Sequence, residues 1–180
     1  MGRHLRAGAR VSEILRQYRA MAATGLHFRG LTVMQHEPAI KALVDQHQAR
    51  TILDYGAGAG EAWDKPWQLH KRLGVDRPTL YDPAFKHNHL PPTGIRYHGV
   101  ICSDVLEHVP EESVPKLLAT LFGYADRFVF ASVCCRPAAK TFPDGTNLHV
   151  TVRPYAWWAE QMQAAAAARG PVQWTLVETP

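Results

Sequence analysis

The stretch Thr51-Ile52-Leu53-Asp54-Tyr55-Gly56-Ala57-Gly58-Ala59-Gly60-Glu61 passes from a short apolar run through an acid into a loop with glycine at every second position. An apolar run that ends in such a turn reads as a strand with a ligand loop at its carboxyl end. Alternating glycines let a tight turn form and let backbone approach a partner where any Cβ would clash. A dinucleotide site would carry G-x-G-x-x-G, with the pyrophosphate on a helix N-terminus. Here the third glycine comes one residue early and Glu61 follows it, placing a carboxylate where a phosphate would sit. A phosphate is disfavoured, and Asp54 and Glu61 better suit a ligand with positive charge and hydroxyls.

Outward from this strand, the pattern alternates. A helical segment is expected from about Glu61 to Leu73, a second strand in Pro78-Thr79-Leu80-Tyr81-Asp82-Pro83, and a nearly continuous apolar strand from Tyr97 to Leu106. Between them Phe85 to Arg96 is loop-like with a double proline, so a third strand there is short or missing and the Tyr97 strand counts as the fourth. A helix over Glu111–Tyr124 opens with acids, which favours its positive dipole end, and Arg127–Val133 is another buried strand. Cys134 to Leu148 is a long loop, and loops of that length in a compact domain are usually functional. Pro154 starts a last helix that runs through the alanines to Arg169, and Val172–Val177 forms a final strand.

On the N-terminal side, Val11–Ala23 has apolar residues at helical spacing, Thr24–Thr32 is a loop, and Val33–Gln48 is a second helix leading into the first strand. Strands alternating with helices imply right-handed crossovers. The expected fold is α/β: a three-layer Rossmann-like sandwich, its mainly parallel twisted sheet of about six strands flanked by helices. Residues 1–50 form a helical appendage or lid, and the whole of 1–180 is a single domain.

At 180 residues and 46% hydrophobic content one compact domain is expected. No run approaches the ~20 apolar residues of a membrane span, and three cysteines without a C-x-x-C favour a reducing compartment, so the expectation is a cytoplasmic protein. The net charge of +4 gathers in Arg3, Arg6, Arg10, Arg16, Arg19 and Arg29 against the single acid Glu13. That cluster reads as a solvated helix face, or as an electrostatic contact for an anionic substrate or partner.

Ligands of open parallel sheets bind at the carboxyl ends of strands. Three such ends carry polar residues: Asp54 with the glycine loop, Asp82, and Ser103-Asp104-Val105-Leu106-Glu107-His108. An acid at the tip of the second strand can accept from both hydroxyls of a ribose, which is the role expected of Asp82. S-adenosylmethionine (SAM), with its sulfonium, ammonium and ribose diol, fits the charges at Asp54 and Glu61.

In that order, LDYGAGAGE, LYDP and VICSDVLEHVPEE resemble the class I SAM-dependent methyltransferases, particularly a small-molecule branch whose fourth strand ends in a D-x-L-E-H-type run. The likeness covers roughly Thr51 to Ala131. It implies that Asp54 helps hold the methionine portion of SAM, that Tyr55, Gly56, Ala57, Gly58 and Gly60 admit the cofactor to the backbone, and that Asp82 and Pro83 serve the ribose. It further implies that the fourth-strand tip, Cys102 to Leu106, faces the methyl group, with Ser103, Asp104 and Val105 among the cofactor-binding residues. The chain also departs from the family. No Asp or Glu occurs between Asp82 and Asp104 to receive the adenine amino group, and the sheet stops about one strand short of the usual seven, leaving an edge for the N-terminal helices or a second subunit of a homodimer to cover.

Methyl transfer needs in-line positioning and, where the acceptor carries a proton, a base. His108 and His149 are the candidate catalytic bases. Tyr18, Arg19, Phe28, Arg29 and Glu107 are candidates for a lid that selects the substrate, with the basic residues suiting an anionic one. A metal site joining His87, His89, His108 and a cysteine matches no zinc spacing, so no metal is expected. Trp63, Trp157 and Trp158 read as core. The leading expectation is transfer of a methyl group from SAM to an O, N or C atom of a small molecule. Absence of Asn-Pro-Pro-Tyr or Pro-Cys at the fourth-strand tip argues against DNA bases. The alternatives are an RNA methyltransferase with a basic arm and a non-catalytic SAM-binding module.

Overall fold

The computed structural model describes residues 2–24, 28–85 and 89–180, with side chains from residue 8 onward. The Arg3 and Arg6 side chains, and His87, lie outside the described residues. Five strands form one sheet: β1 (Ile52–Tyr55), β2 (Thr79–Tyr81), β3 (Tyr97–Ser103), β4 (Ala125–Cys134) and β5 (Gln173–Thr179). Their order is β2-β1-β3-β4-β5 and every neighbouring pair is parallel. The count is therefore five rather than about six. Among the described residues no strand forms between β2 and β3, where Pro91, Pro92 and Gly94 punctuate the chain and no apolar run offers a face to bury. The Tyr97 strand is third, and among the described residues no antiparallel strand closes the edge.

Helices α2 (Glu37–Gln46), α3 (Leu69–Leu73), α4 (Val114–Tyr124) and α5 (Tyr155–Arg169) cover the two faces. Alternation along the strands assigns each face its partners. Ile52, Ile101, Phe128 and Phe130 pack with Ile40, Leu43 and Val44 of α2 and Leu69 and Leu73 of α3. Leu53, Val100, Cys102, Val129, Ala131 and Val133 pack with Leu118, Leu121 and Phe122 of α4 and Trp158 and Met162 of α5. A near-continuous apolar sequence in β3 and β4 is what a strand covered on both sides requires. Trp63 and Trp158 are fully buried in these layers.

The helix expected over Glu61–Leu73 does not form as one piece. A single 3-10 turn, Glu61–Trp63, gives way before Pro66, which lacks an amide hydrogen and clashes with the preceding helical turn. Gln68, with φ of 45°, then starts the short α3. Helix α1 (Gly2–Ala23) runs longer than the Val11–Ala23 expected. It packs neither face of the sheet with its buried apolar residue: Ile14 joins Phe142 and Leu148 in a separate cluster formed on the loop after β4. No described helix is long and apolar enough to cross a membrane.

The chain leaves β1 toward β2 on one side and returns to β3 on the other. Between β1 and β3, the crossovers depart in opposite directions, and a crevice opens at the carboxyl ends of these strands.

Candidate functional site

A cavity of about 850 Å³ occupies that crevice. Its floor is the strand tips: Gly56 and Gly58 after β1, Asp82, Pro83, Ala84 and Phe85 after β2, Ser103–Val105 and Glu107–Pro110 after β3, Cys134 at the end of β4 and Thr179 at the end of β5. Its other wall comes from before the sheet, with Val11, Ile14, Leu15 and Tyr18 of α1 and Phe28–Thr32 and Gln35 of the segment that follows. An appendage and a sheet that are far apart in sequence thus enclose one volume, mostly apolar with a few polar groups, as ligand pockets usually are.

The glycine loop is engaged by the protein itself. The amides of Gly56 and Ala57 donate to the carbonyl of Tyr81, at 2.7 and 3.1 Å, and that of Gly58 donates to Asp82 Oδ2 at 2.9 Å. Ala59 donates to Phe28 O, Gly60 to Ala57 O and Glu61 to Arg29 O. Every amide from Gly56 to Glu61 therefore has an acceptor within the chain, and phosphate recognition needs such amides free. The next element is a single 3-10 turn, which offers no helix dipole of the dinucleotide kind. Glu61, in contrast, is no bare charge, because Arg29 pairs with it at 2.8 Å. The exclusion of a phosphate rests on the amides rather than on that carboxylate.

The close approach that the glycines permit is also partly internal. Gly58 has φ of +56°, and a Cβ there would lie 2.4 Å from the carbonyl oxygen of Phe28; one on Gly30 would lie 2.0 Å from that of Ala57. Segment 28–30 and the loop are fitted backbone to backbone.

The acids divide by environment. Asp54 is 3% exposed and lies outside the cavity lining, where it accepts the Trp63 indole N–H at 2.7 Å. Burial pushes its carboxyl up to about 7, against the lowering effect of the Trp63 bond. Asp82 does line the cavity, with Oδ1 accepting the Ala84 amide at 2.8 Å and Oδ2 that of Gly58. Burial raises its pKa while those two bonds hold it down. Each of its oxygens keeps a lone pair for a further donor.

Past the tip of β3, a polar cluster faces the same cavity. His108 Nδ1 lies 2.9 Å from Leu148 O and 2.6 Å from Tyr18 Oη. A carbonyl can only accept, so the Leu148 bond is made in the tautomer with Nδ1 protonated, where Tyr18 Oη accepts from the same N–H and donates toward Leu148 O, and Nε2 keeps its lone pair. His149 Nδ1 lies 2.5 Å from Arg136 O, which sets the same tautomer. Burial lowers the His108 pKa to about 4, so the ring is neutral near pH 7 and, as a base, weak. Glu107 is fully buried, with Oε1 accepting the Cys134 amide at 3.0 Å and Oε2 finding no hydrogen-bond partner among the described residues. Burial pushes its carboxyl up to about 8. Asp104, at φ of 52°, turns its Oδ1 to Ser132 and Thr179 and ties the tip of β3 to β4 and β5.

Of the residues expected from sequence, Gly56, Gly58, Asp82, Pro83, Ser103, Asp104, Val105, Tyr18, Phe28, Arg29, Glu107, His108 and His149 converge on the cavity. Asp54, Tyr55, Ala57, Gly60 and Arg19 do not line it. Tyr55 packs at a tilt against the Tyr81 ring, Gly60 faces Leu80, and Arg19 donates to Pro83 O. Glu107 sits at the floor, not on a mobile cover. The sequence reading missed Val11, Ile14 and Leu15, whose helical spacing marked an apolar face without saying what it covers, and Thr179, which only the parallel pairing of β5 with β4 brings in.

No family model, curated protein or solved structure matches this chain.

Proposed function

We propose that this chain is a SAM-dependent methyltransferase acting on a small molecule. The observation that carries the reading is Asp82, standing at the tip of β2 beside a glycine loop whose amides are all engaged, in a cavity at the β1/β3 crossover. An acid there accepts from a ribose diol, while a loop with no amide to spare disfavours a pyrophosphate. The polar turn Ser103–Val105 also lines the floor, where it would face the reacting end of such a cofactor, and Tyr18 of α1 reaches over to His108. With Tyr18, Phe28 and Phe142 in edge-to-face contact, the N-terminal segment is a shaped cover that would exclude water and select the acceptor.

The RNA alternative loses its main support among the described residues. Arg10, Arg16 and Arg29 pair with Glu112, Glu13 and Glu61, and Arg19 is bound to a carbonyl. Calorimetry with SAM, its demethylated product S-adenosylhomocysteine and NADH tests the reading. Binding of the first two and not the third is expected; a folded protein that binds neither adenosyl compound overturns it.

A further inference from the structure

We propose that Glu107, His108 and His149 form a binding site for a first-row divalent transition metal ion that opens onto the cavity. One donor atom of each lies within 4.8 Å of the donor atoms of the other two, and all three residues line the cavity. Ligands sharing one ion at ~2.1 Å stand about 3 to 3.5 Å apart, so closure asks the side chains to approach by up to about 1.5 Å.

Three independent details favour a metal over a chance cluster. Both histidines donate Nδ1–H to a backbone carbonyl, Leu148 O and Arg136 O, which holds each in the tautomer that presents an Nε2 lone pair. Anchoring the second ring nitrogen in this way is how proteins orient metal-binding imidazoles. Glu107 is anchored likewise, by the Cys134 amide on Oε1, while its fully buried Oε2 has no hydrogen-bond partner among the described residues. Such an orphan is costly unless something binds it. Two imidazoles and one carboxylate form a donor set suited to zinc, iron and similar ions, and three protein ligands leave positions open. Spacing along the chain does not reveal the cluster, because a helix, a strand and a long loop separate His149 from His108 and only the loop after β4 folds it back.

An ion here would present its open positions to the cavity, where a hard oxygen donor such as a hydroxyl or hydroxamate coordinates. Resting on the methyltransferase reading, that oxygen belongs to the acceptor, which would then be an oxygen nucleophile.

The test uses the full chain, stripped with chelator and titrated with Co2+, whose visible bands report nitrogen ligation; zinc retention after dialysis is measured in parallel. One equivalent should bind, acetohydroxamate should shift the bands, and His149→Ala and Glu107→Gln should each weaken binding at least ~10-fold, with far-UV circular dichroism unchanged. His98→Ala, remote from the cluster, should bind as the parent does. Failure of the folded parent to bind either ion overturns the site, as does undiminished binding by both variants. SAM binding without metal would leave the cofactor reading intact, and metal binding without SAM would leave the site standing while removing that reading.

Discussion

Replacing Asp54 with asparagine should make the protein more stable at alkaline pH and remove a pH dependence that the parent carries. Asp54 is enclosed at 3% exposure and its carboxyl is pushed from the usual 3.8 up to about 7. Between those values the unfolded chain has released its proton at this site and the folded chain has not. The native state binds more protons, so stability falls as pH rises through that window and is level above it. At ~1.4 kcal/mol per unit, a rise of about three units corresponds to about 4 kcal/mol. Asparagine has no such proton to lose and its carbonyl oxygen still accepts the Trp63 indole N–H. Urea unfolding followed by tryptophan fluorescence, for both proteins from pH 4.5 to 8.5, gives the difference in stability at each pH. Contributions of other groups, Glu107 among them, are common to both and cancel. The difference should move in favour of Asp54→Asn by a few kcal/mol between the two ends. Parallel curves, or a variant that loses ground as pH rises, would show that Asp54 is ionised in the fold and that the Trp63 bond outweighs its burial. Because Asp54 lies off the cavity wall, SAM affinity should change little in the same variant.

The remaining predictions concern the cavity floor and its cover. Gly58→Ala should destabilise by about 2 kcal/mol or more, since a Cβ meets the Phe28 carbonyl, whereas Gly74→Ala, also at positive φ but in open space, should cost only about 1 kcal/mol; urea midpoints compare them. Asp82→Ala should weaken SAM binding by about 1 to 3 kcal/mol in calorimetry, through loss of charge-assisted acceptors, and unchanged affinity would remove Asp82 from the site. Leu118→Ala, in the fully buried layer between α4 and the sheet, should cost about 2 to 5 kcal/mol by thermal or urea unfolding without altering ligand affinity. Tyr18→Phe keeps the ring against Phe28 and Phe142 and removes the hydroxyl at His108, so about 1 kcal/mol of stability should go while the cavity stays closed.

The α/β class and the strand tips were legible in local pattern. An apolar run that breaks into glycine, or into Asp-Pro, marks a strand end whatever the rest of the chain does, and Asp82, Gly58 and Ser103–Val105 were found that way. Where the reading failed along the chain, one local signal outweighed another. Pro66 broke a helix that the apolar spacing alone suggested, and the absence of a strand before Tyr97 reduced the count to five.

Which side each residue faces was likewise out of reach of the sequence. Asp54 and Asp82 look alike as acids at strand ends, yet one is turned behind the loop onto Trp63 and the other into the cavity. The glycine spacing announced a close approach to that loop but not by what, and part of the answer is the protein's own segment 28–30. Sequence alone thus determined the order of elements and the chemistry available at each strand tip, because those depend on residues near in the chain. Tertiary structure alone decided that α1, the turn after β3 and the loop after β4 meet, bringing Tyr18, Glu107, His108 and His149 into one cluster, because that contact depends on packing between segments that carry no local trace of one another.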